Sequence, residues 1–335
     1  MRKPPLEPTV WRPPKAPARA KRRHGPVPVE LRVFDLPGRG PEDVTVDDGG
    51  NAIVGVADGR ILRVAPDGQH VDLVGDTEGR PLGVELDPGG DVLVCDARRG
   101  LLSVEASSGK VRTLVDRLGG TPMVFCNNAA VGRDGTVYFT DSSTRFGLDH
   151  YRGELLAHTG TGRLLRRAPD GGVDVLLDGM QFANGVALAP DEASVVVAEM
   201  GCYRLIRLWL SGERQGERDV LIDNLPGFPD NISAGSDGLV WVALPSPRNP
   251  MLDALLPLPP VLRRITWRVP EKLQPRQRRT VWVQAYDANG VLVHDLQADH
   301  PWFHMVTGVH EANGTVWLGS LVSPGLGRIT LGGRT

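Results

Sequence analysis

Four short stretches of this chain set polar oxygens just before small-apolar runs: "GPEDVTV", "FCNNAAV", "FANGVAL" and "FPDNISA". They supply Glu42, Asn127 followed by Asn128, Asn184, and Asp230 followed by Asn231. Carboxylates and carboxamides are hard oxygen donors. Gathered at one point they suit a divalent cation, Ca²⁺ above all, with another divalent ion as the alternative. No His or Cys cluster has the spacing of a structural zinc site. Taken singly, an Asn or Asp beside Gly or Pro often only closes an Asx turn. The reading rests on four such motifs recurring at equivalent places. Asp230 and Glu42 are the acidic members, and Asp230 is the candidate general base.

Those motifs need a scaffold that brings distant segments to one axis. A Gly-containing turn, an apolar strand, a polar break and a second strand recur six times. The equivalent strands start near Asn51, Asp91, Thr136, Ser194, Leu239 and Thr315, about 40 to 76 residues apart. Units of this size with several short strands each are propeller blades. The fold expected is all-β, a six-bladed β-propeller; a two-domain β protein explains the recurrence less well. "VELRVFDL" (Val29–Leu36) has no blade of its own, and is expected to pair into the last blade and close the ring. Two insertions lengthen the repeat, "TRFGLDHYRGELLAHTGT" and the segment 245–279. The second carries a helical pattern at Met251, Leu252, Leu255 and Leu256, cut short by Pro257, Pro259 and Pro260. Two readings of 245–279 stand: a lid over the channel that makes an apolar substrate pocket, or a peripheral membrane or partner surface in which Arg263, Arg264 and Arg268 flank apolar residues.

The chain has 335 residues, 41% of them apolar, and a net charge of −2. That balance gives no global field for nucleic acid or membrane. Residues 1–27 are basic and Pro-rich, without an apolar run long enough for a signal peptide or anchor. They read as a flexible arm ahead of a propeller at 28–335, or else as an arm laid on the body or on an acidic partner. Cys95, Cys126 and Cys202 form no disulfide framework; they read as small buried hydrophobes in a cytoplasmic protein.

Together, "GPEDV", "GRPLGVELDPGGDVLVCDARRGLL", "FCNNAAVGRDGTVYFTDSS", "FANGVALAPDEASVVVAE", "LPGFPDNISAGSDGLVWVAL" and "VHEANGTVWLGSL" resemble the strictosidine synthase-like branch of the superfamily that holds gluconolactonase, regucalcin and the paraoxonases. The resemblance implies a six-bladed propeller with a divalent ion in its channel. It implies Glu42, Asn127, Asn184 and Asp230 as ligands of that ion, with Asn231 beside them. It also implies metal-assisted hydrolysis of a lactone or ester, with Asp230 as base. Asn128 stands where the family often has Asp. Leu82 stands near the place of the paraoxonase histidine. Thr307 stands where plant strictosidine synthase has its acid/base glutamate, which argues against amine–aldehyde condensation. Arg80, Arg145, His150, His304 and Thr307 are candidate substrate-binding residues around the mouth. The rival functions are a non-catalytic propeller with a structural ion and a condensing lyase of the strictosidine synthase type.

Overall fold

The computed structural model describes residues 3–21, 29–270 and 278–332. The parts of the basic arm and second insertion at 22–28 and 271–277 lie outside the described residues. Six four-stranded antiparallel sheets form the six blades. Their innermost strands are Val44–Val46, Pro81–Leu86, Cys126–Val131, Ala183–Leu188, Ile232–Ala234 and Val306–Ala312. The second strands start at Ala52, Val92, Val137, Ser194, Val240 and Thr315, each within one residue of the start read from the Gly turns.

The ring closes as the pattern requires. Leu31–Asp35 is the outermost strand of blade 6, antiparallel to Gly325–Thr330, with Leu31 opposite Ile329. This joins the two chain ends in one sheet and covers an edge that would otherwise stay open.

No blade can bury both of its faces alone, so the cores lie between blades. Ile53 and Ile61 of blade 1 pack on Val84 and Val94 of blade 2. Cys95 and Leu101 of blade 2 pack on Cys126 and Phe139 of blade 3. Trp317 and Leu326 of blade 6 pack on Val44 and Val54 of blade 1. All three cysteines are buried and free, as their sparse spacing suggested.

Asx turns do occur in this chain, at several hairpins, among them those between first and second strands. Asp87 Oδ1 accepts from the N–H groups of Gly89 and Asp91 at 2.8 and 3.0 Å. Asp134 and Asp237 accept in the same way from Thr136 and Leu239. Antiparallel pairing puts these hairpins at the end of each blade opposite the start of the inner strand. The loop from second to third strand therefore opens beside the polar motifs, and both insertions leave from such loops, in blades 3 and 5.

The insertions hold three helices: α1 (Tyr151–Ala157), α2 (Pro250–Leu255) and α3 (Pro260–Arg268). The single interrupted pattern at 251–256 resolves into two helices. Asn249 caps α2 through bonds from Met251 and Leu252 N–H, and Pro260 sits at the first turn of α3, where a missing N–H is harmless.

The arm corrects an expectation. Its described part, 3–21, is packed rather than free. Leu6 joins Phe146, Leu156 and Trp267 in a buried cluster. Thr9 N–H donates to Ala157 O at 2.9 Å, and Trp11 stacks on His158 at 4.3 Å. Arg248 Nη2 donates to Pro14 O at 2.7 Å. Its composition concealed this. Leu6 and Trp11 carry the apolar anchoring, and the prolines hold the strand extended beforehand, which lowers the entropy of laying it down.

Candidate active site at the channel mouth

The first few residues of each inner strand meet around the axis. In blades 2, 3, 4 and 6 the inner strand is bulged at that point, between Pro81 and Val84, Cys126 and Ala129, Ala183 and Val186, and Val306 and Val309. A bulge re-aims a side chain out of the ladder. The residues it carries are Leu82, Asn127, Asn184 and Thr307. In blades 1 and 5 the strand is only three residues long, and Glu42 and Asp230 occupy the equivalent place two residues before it. Each blade thus contributes one residue to a ring: Glu42, Leu82, Asn127, Asn184, Asp230 and Thr307. All six line one cavity.

The ring is tied blade to blade. Gly185 N–H donates to Asp230 O at 3.2 Å, and Asn231 N–H donates to Thr307 O at 3.0 Å. Thr307 Oγ1 donates to Glu42 O at 2.7 Å. The bulge glycines permit the close approach. A Cβ on Gly308 would lie 2.6 Å from Asp43 Cα and 2.7 Å from Glu42 O, both backbone atoms. Gly308→Ala is therefore expected to lower stability by about 1–3 kcal/mol, the usual cost of overpacking. An unchanged urea midpoint would show that blades 6 and 1 do not meet there. Blade 3 has Asn128 at the corresponding place. Its Nδ2 donates to Asp43 Oδ2 at 2.8 Å and its Oδ1 accepts from Val186 N–H at 2.8 Å, so it joins blades 1, 3 and 4.

Side-chain bonding at the ring is incomplete in a specific way. Asn184 Nδ2 donates to Asp230 Oδ1 at 2.5 Å, and Asn127 Nδ2 donates to Ser142 Oγ at 2.8 Å. Asn231 Nδ2 donates to Glu42 Oε2 at 3.0 Å. The three amides thereby use their N–H groups, while the Oδ1 atoms of Asn127, Asn184 and Asn231 are buried with no donor. Buried polar atoms are rarely left so.

The carboxylates are equally uncompensated. Burial pushes Glu42 up to about 7, opposed by its bond from Asn231 and by the nearby Arg80. Asp230 is raised well above the usual carboxylate range by burial and by repulsion from Glu42, offset in part by Asn184. Asp43 is raised for the same two reasons, burial and Glu42. Donor-less amide oxygens beside crowded carboxylates are the donor set a hard divalent cation satisfies. No group of three or more His, Cys, Asp or Glu side chains forms a metal cluster among the described residues, so a cation here would draw on Asn127 and Asn184 as well as Glu42 and Asp230.

Above the ring the walls are apolar. Phe125, Phe182, Phe228 and Met305 each stand two residues before a ring residue, and all line the cavity. In extended chain, positions i and i+2 share a face, so the aromatic collar was readable in "FCN", "FAN" and "FPD". The roof is α1 and its approach, through Leu148, Tyr151 and Leu155. The spacing of these three is the helical signal that the first insertion carried unread.

Several candidates fall elsewhere. Among the described residues of the segment 245–279, Pro245 and Ser246 alone line the cavity; α3 packs behind α1, so the direct cover from described residues comes from the first insertion. Arg80 Nη1 donates to Gly40 O at 3.0 Å and props the segment leading to Glu42. Arg145 pairs with Glu7 of the arm at 3.0 Å. His150 lies edge-on to Trp267 at 6.0 Å. His304 N–H donates to Ser323 Oγ at 3.2 Å, at the edge of blade 6. None of these four lines the cavity, whereas Thr307 does. Asn231 sits behind the ring, holding Glu42.

A closed six-bladed ring in which five blades contribute a polar residue and blade 2 contributes Leu82, under an apolar collar, defines a propeller with a channel-mouth site. The sequence matches the strictosidine synthase family over residues 127–213 and the strictosidine synthase-like N-terminal family over 30–64. It is 36% identical to the adipocyte plasma membrane-associated protein of Rattus norvegicus, over 90% of this chain and 85% of that one. It is 32% identical to protein strictosidine synthase-like 10 of Arabidopsis thaliana, over 88% of this chain and 87% of that one. Among solved structures it resembles a gluconolactonase of Xanthomonas campestris, with a TM-score of 0.66, 18% identity and 99% of both chains covered. It also resembles a calcium-binding regucalcin of Agrobacterium tumefaciens, with a TM-score of 0.63, 14% identity, and 91% and 96% covered. At such identities the structural likeness speaks for the fold. The chain belongs to the strictosidine synthase-like family.

Proposed function

We propose that this protein is a divalent-cation-dependent hydrolase of apolar lactones or esters. One observation carries the reading: buried Glu42 and Asp230 share a cavity with two amide oxygens that no protein group satisfies. Glu42, Asn127, Asn184 and Asp230 would hold the cation, with Ca²⁺ favoured by the all-oxygen set. When bound, it would supply Lewis-acid polarisation of the substrate carbonyl and charge stabilisation as that oxygen becomes anionic.

The chain's own groups do the rest. Asp230 accepts the proton of the attacking water at its carboxylate, held in place by Asn184 Nδ2 and by its own backbone bonds. Thr307 and Asn231 fix Glu42 from its backbone and its side chain. Phe125, Phe182 and Phe228 exclude water and favour aryl or alkyl substituents over the hydroxyls of a sugar lactone. Thr307 spends its hydroxyl proton on Glu42 O, which supports hydrolysis over condensation. The buried free cysteines accord with the cytoplasmic location that forms part of this proposal.

A panel of γ- and δ-lactones and aryl esters, assayed with and without chelator, tests the reading. Turnover that disappears on chelation and returns with Ca²⁺ is expected, with apolar esters ahead of gluconolactone. Unfolding on chelation without turnover on any member would instead make the ion a staple of a non-catalytic scaffold.

A further inference from the structure

α3 is laid on the protein with its usual polarity reversed. Arg263, fully buried, donates from Nη1 to Leu156 O at 3.1 Å, and Trp267 lies in the cluster under α1. Val261, Leu262 and Ile265 point outward at 52%, 39% and 56% exposure. A surface helix normally turns its apolar stripe to the core. Met251 on α2 and Leu258 in the connecting turn extend the outward apolar face, at 66% and 41% exposure. Contiguous exposed apolar surface of this kind marks an interaction site.

Among the described residues, the exposed charges on α3 and in the groove beside it are mostly cationic. Arg264 and Arg268 are exposed on α3 itself. Arg12 and Lys15 of the arm line a groove with Pro257 and Leu258. The acidic residues in the stretches 3–21 and 249–269 are Glu7 and Asp253. Both are engaged, Glu7 with Arg145 at 3.0 Å and Asp253 with Arg248 at 3.0 Å. The near-neutral total of the chain thus hides a local cationic rim around apolar side chains. No described helix is long and apolar enough to cross a membrane, but crossing is not what this pattern does. Outward Val, Leu and Ile flanked by Arg and Lys lie in the plane of a bilayer interface, with apolar groups at the acyl boundary and cations among the headgroups.

We propose that the outer face of α2, α3 and the adjoining arm docks on an anionic lipid surface. The full-length protein is sedimented with vesicles of phosphatidylcholine mixed with phosphatidylglycerol, and with vesicles of phosphatidylcholine alone. Partition onto the mixed vesicles is expected to be stronger by on the order of tenfold and to weaken with added salt. Val261→Asp combined with Ile265→Asp should abolish it. Arg264→Gln combined with Arg268→Gln should remove most of that preference for the mixed vesicles. All four side chains are exposed, and Arg264 also donates from Nε to Leu6 O at 3.3 Å; the circular dichroism of both variants should match the parent, with a small fall in melting temperature for the arginine variant alone, which separates lost docking from lost folding. No partition onto either vesicle overturns the proposal. So does partition that ignores lipid charge or survives Val261→Asp with Ile265→Asp. Concentration-dependent dimers that dissolve in that variant, without vesicle binding, would give the face to a second copy of the chain and overturn it as well.

Discussion

Asp230→Asn is expected to lower kcat for ester or lactone hydrolysis by on the order of 10³, the range seen when a positioned general base is lost. The substitution is nearly isosteric. The new amide keeps an oxygen to accept from Asn184 Nδ2, and the backbone bonds of residue 230 to Gly185 and Ala243 are untouched. The fold should therefore survive. Stability should move the other way from activity. Asp230 is buried and repelled by Glu42, so removing its charge relieves a cost carried by the cation-free protein. The chelated variant should melt no lower than the chelated parent. Adding Ca²⁺ should raise the melting temperature of the parent, through binding to the native state, and that of the variant much less. Retained turnover would remove Asp230 from the chemistry. Retained turnover together with an unchanged Ca²⁺ response would remove it from the cation site as well.

Trp267→Ala should open the roof without dismantling the ring. Trp267 Nε1 donates to Pro4 O at 2.9 Å. Its ring meets Phe146 edge-on at 6.0 Å and lies 4.7 Å from the Lys3 ammonium. Truncating a buried tryptophan costs about 3–5 kcal/mol. Here the cost falls on a satellite cluster of Leu6, Phe146, Leu156, Ala157 and Trp267 that is separate from the interblade cores. Local opening of arm and helices should rise by on the order of 10²–10³, while global unfolding changes little. Limited proteolysis should then cut within the arm or α3 far faster, at nearly the same melting temperature. KM for a bulky apolar ester should rise more than KM for an acetyl ester, since Leu148, Tyr151 and Leu155 would no longer be held over the cavity. A large fall in melting temperature with no gain in proteolysis would mean that roof and ring unfold as one unit.

Much of this architecture was written in local pattern. Turns every 40 to 76 residues marked the second strand of each blade to within one residue, five of them through a glycine at positive φ and the blade 4 turn through Glu192, because a tight hairpin needs backbone freedom that few residues other than glycine supply. The closing strand followed from a strand-like segment without partners. The polar ring followed from recurrence, since the same step of each repeat must fall at the same place in a symmetric ring. Four of its six members are polar enough to be noticed. Thr307 and Leu82 drew notice only through the family resemblance, and the bulges show that they occupy the same step of the ring.

The positions of long charged and aromatic side chains were not local properties. Arg145, His150 and His304 sit close in sequence to mouth-forming segments, yet Arg145 pairs with the arm, His150 lies edge-on to Trp267, and His304 lies at the edge of blade 6. Where such a side chain ends depends on what other segments bring within its reach. The arm shows the same: 3–21 has the composition of a free tail, and it is held by Ala157, Leu256 and Arg248, between about 150 and 250 residues away. Which insertion roofs the cavity was likewise decided by packing: the helix leaving blade 3 lies over the cavity, and α3 packs on that helix. Periodicity is a property of neighbours along the chain and can be read there. Long-range burial is settled between segments, and a single strand of text does not record which of several apolar faces meets which.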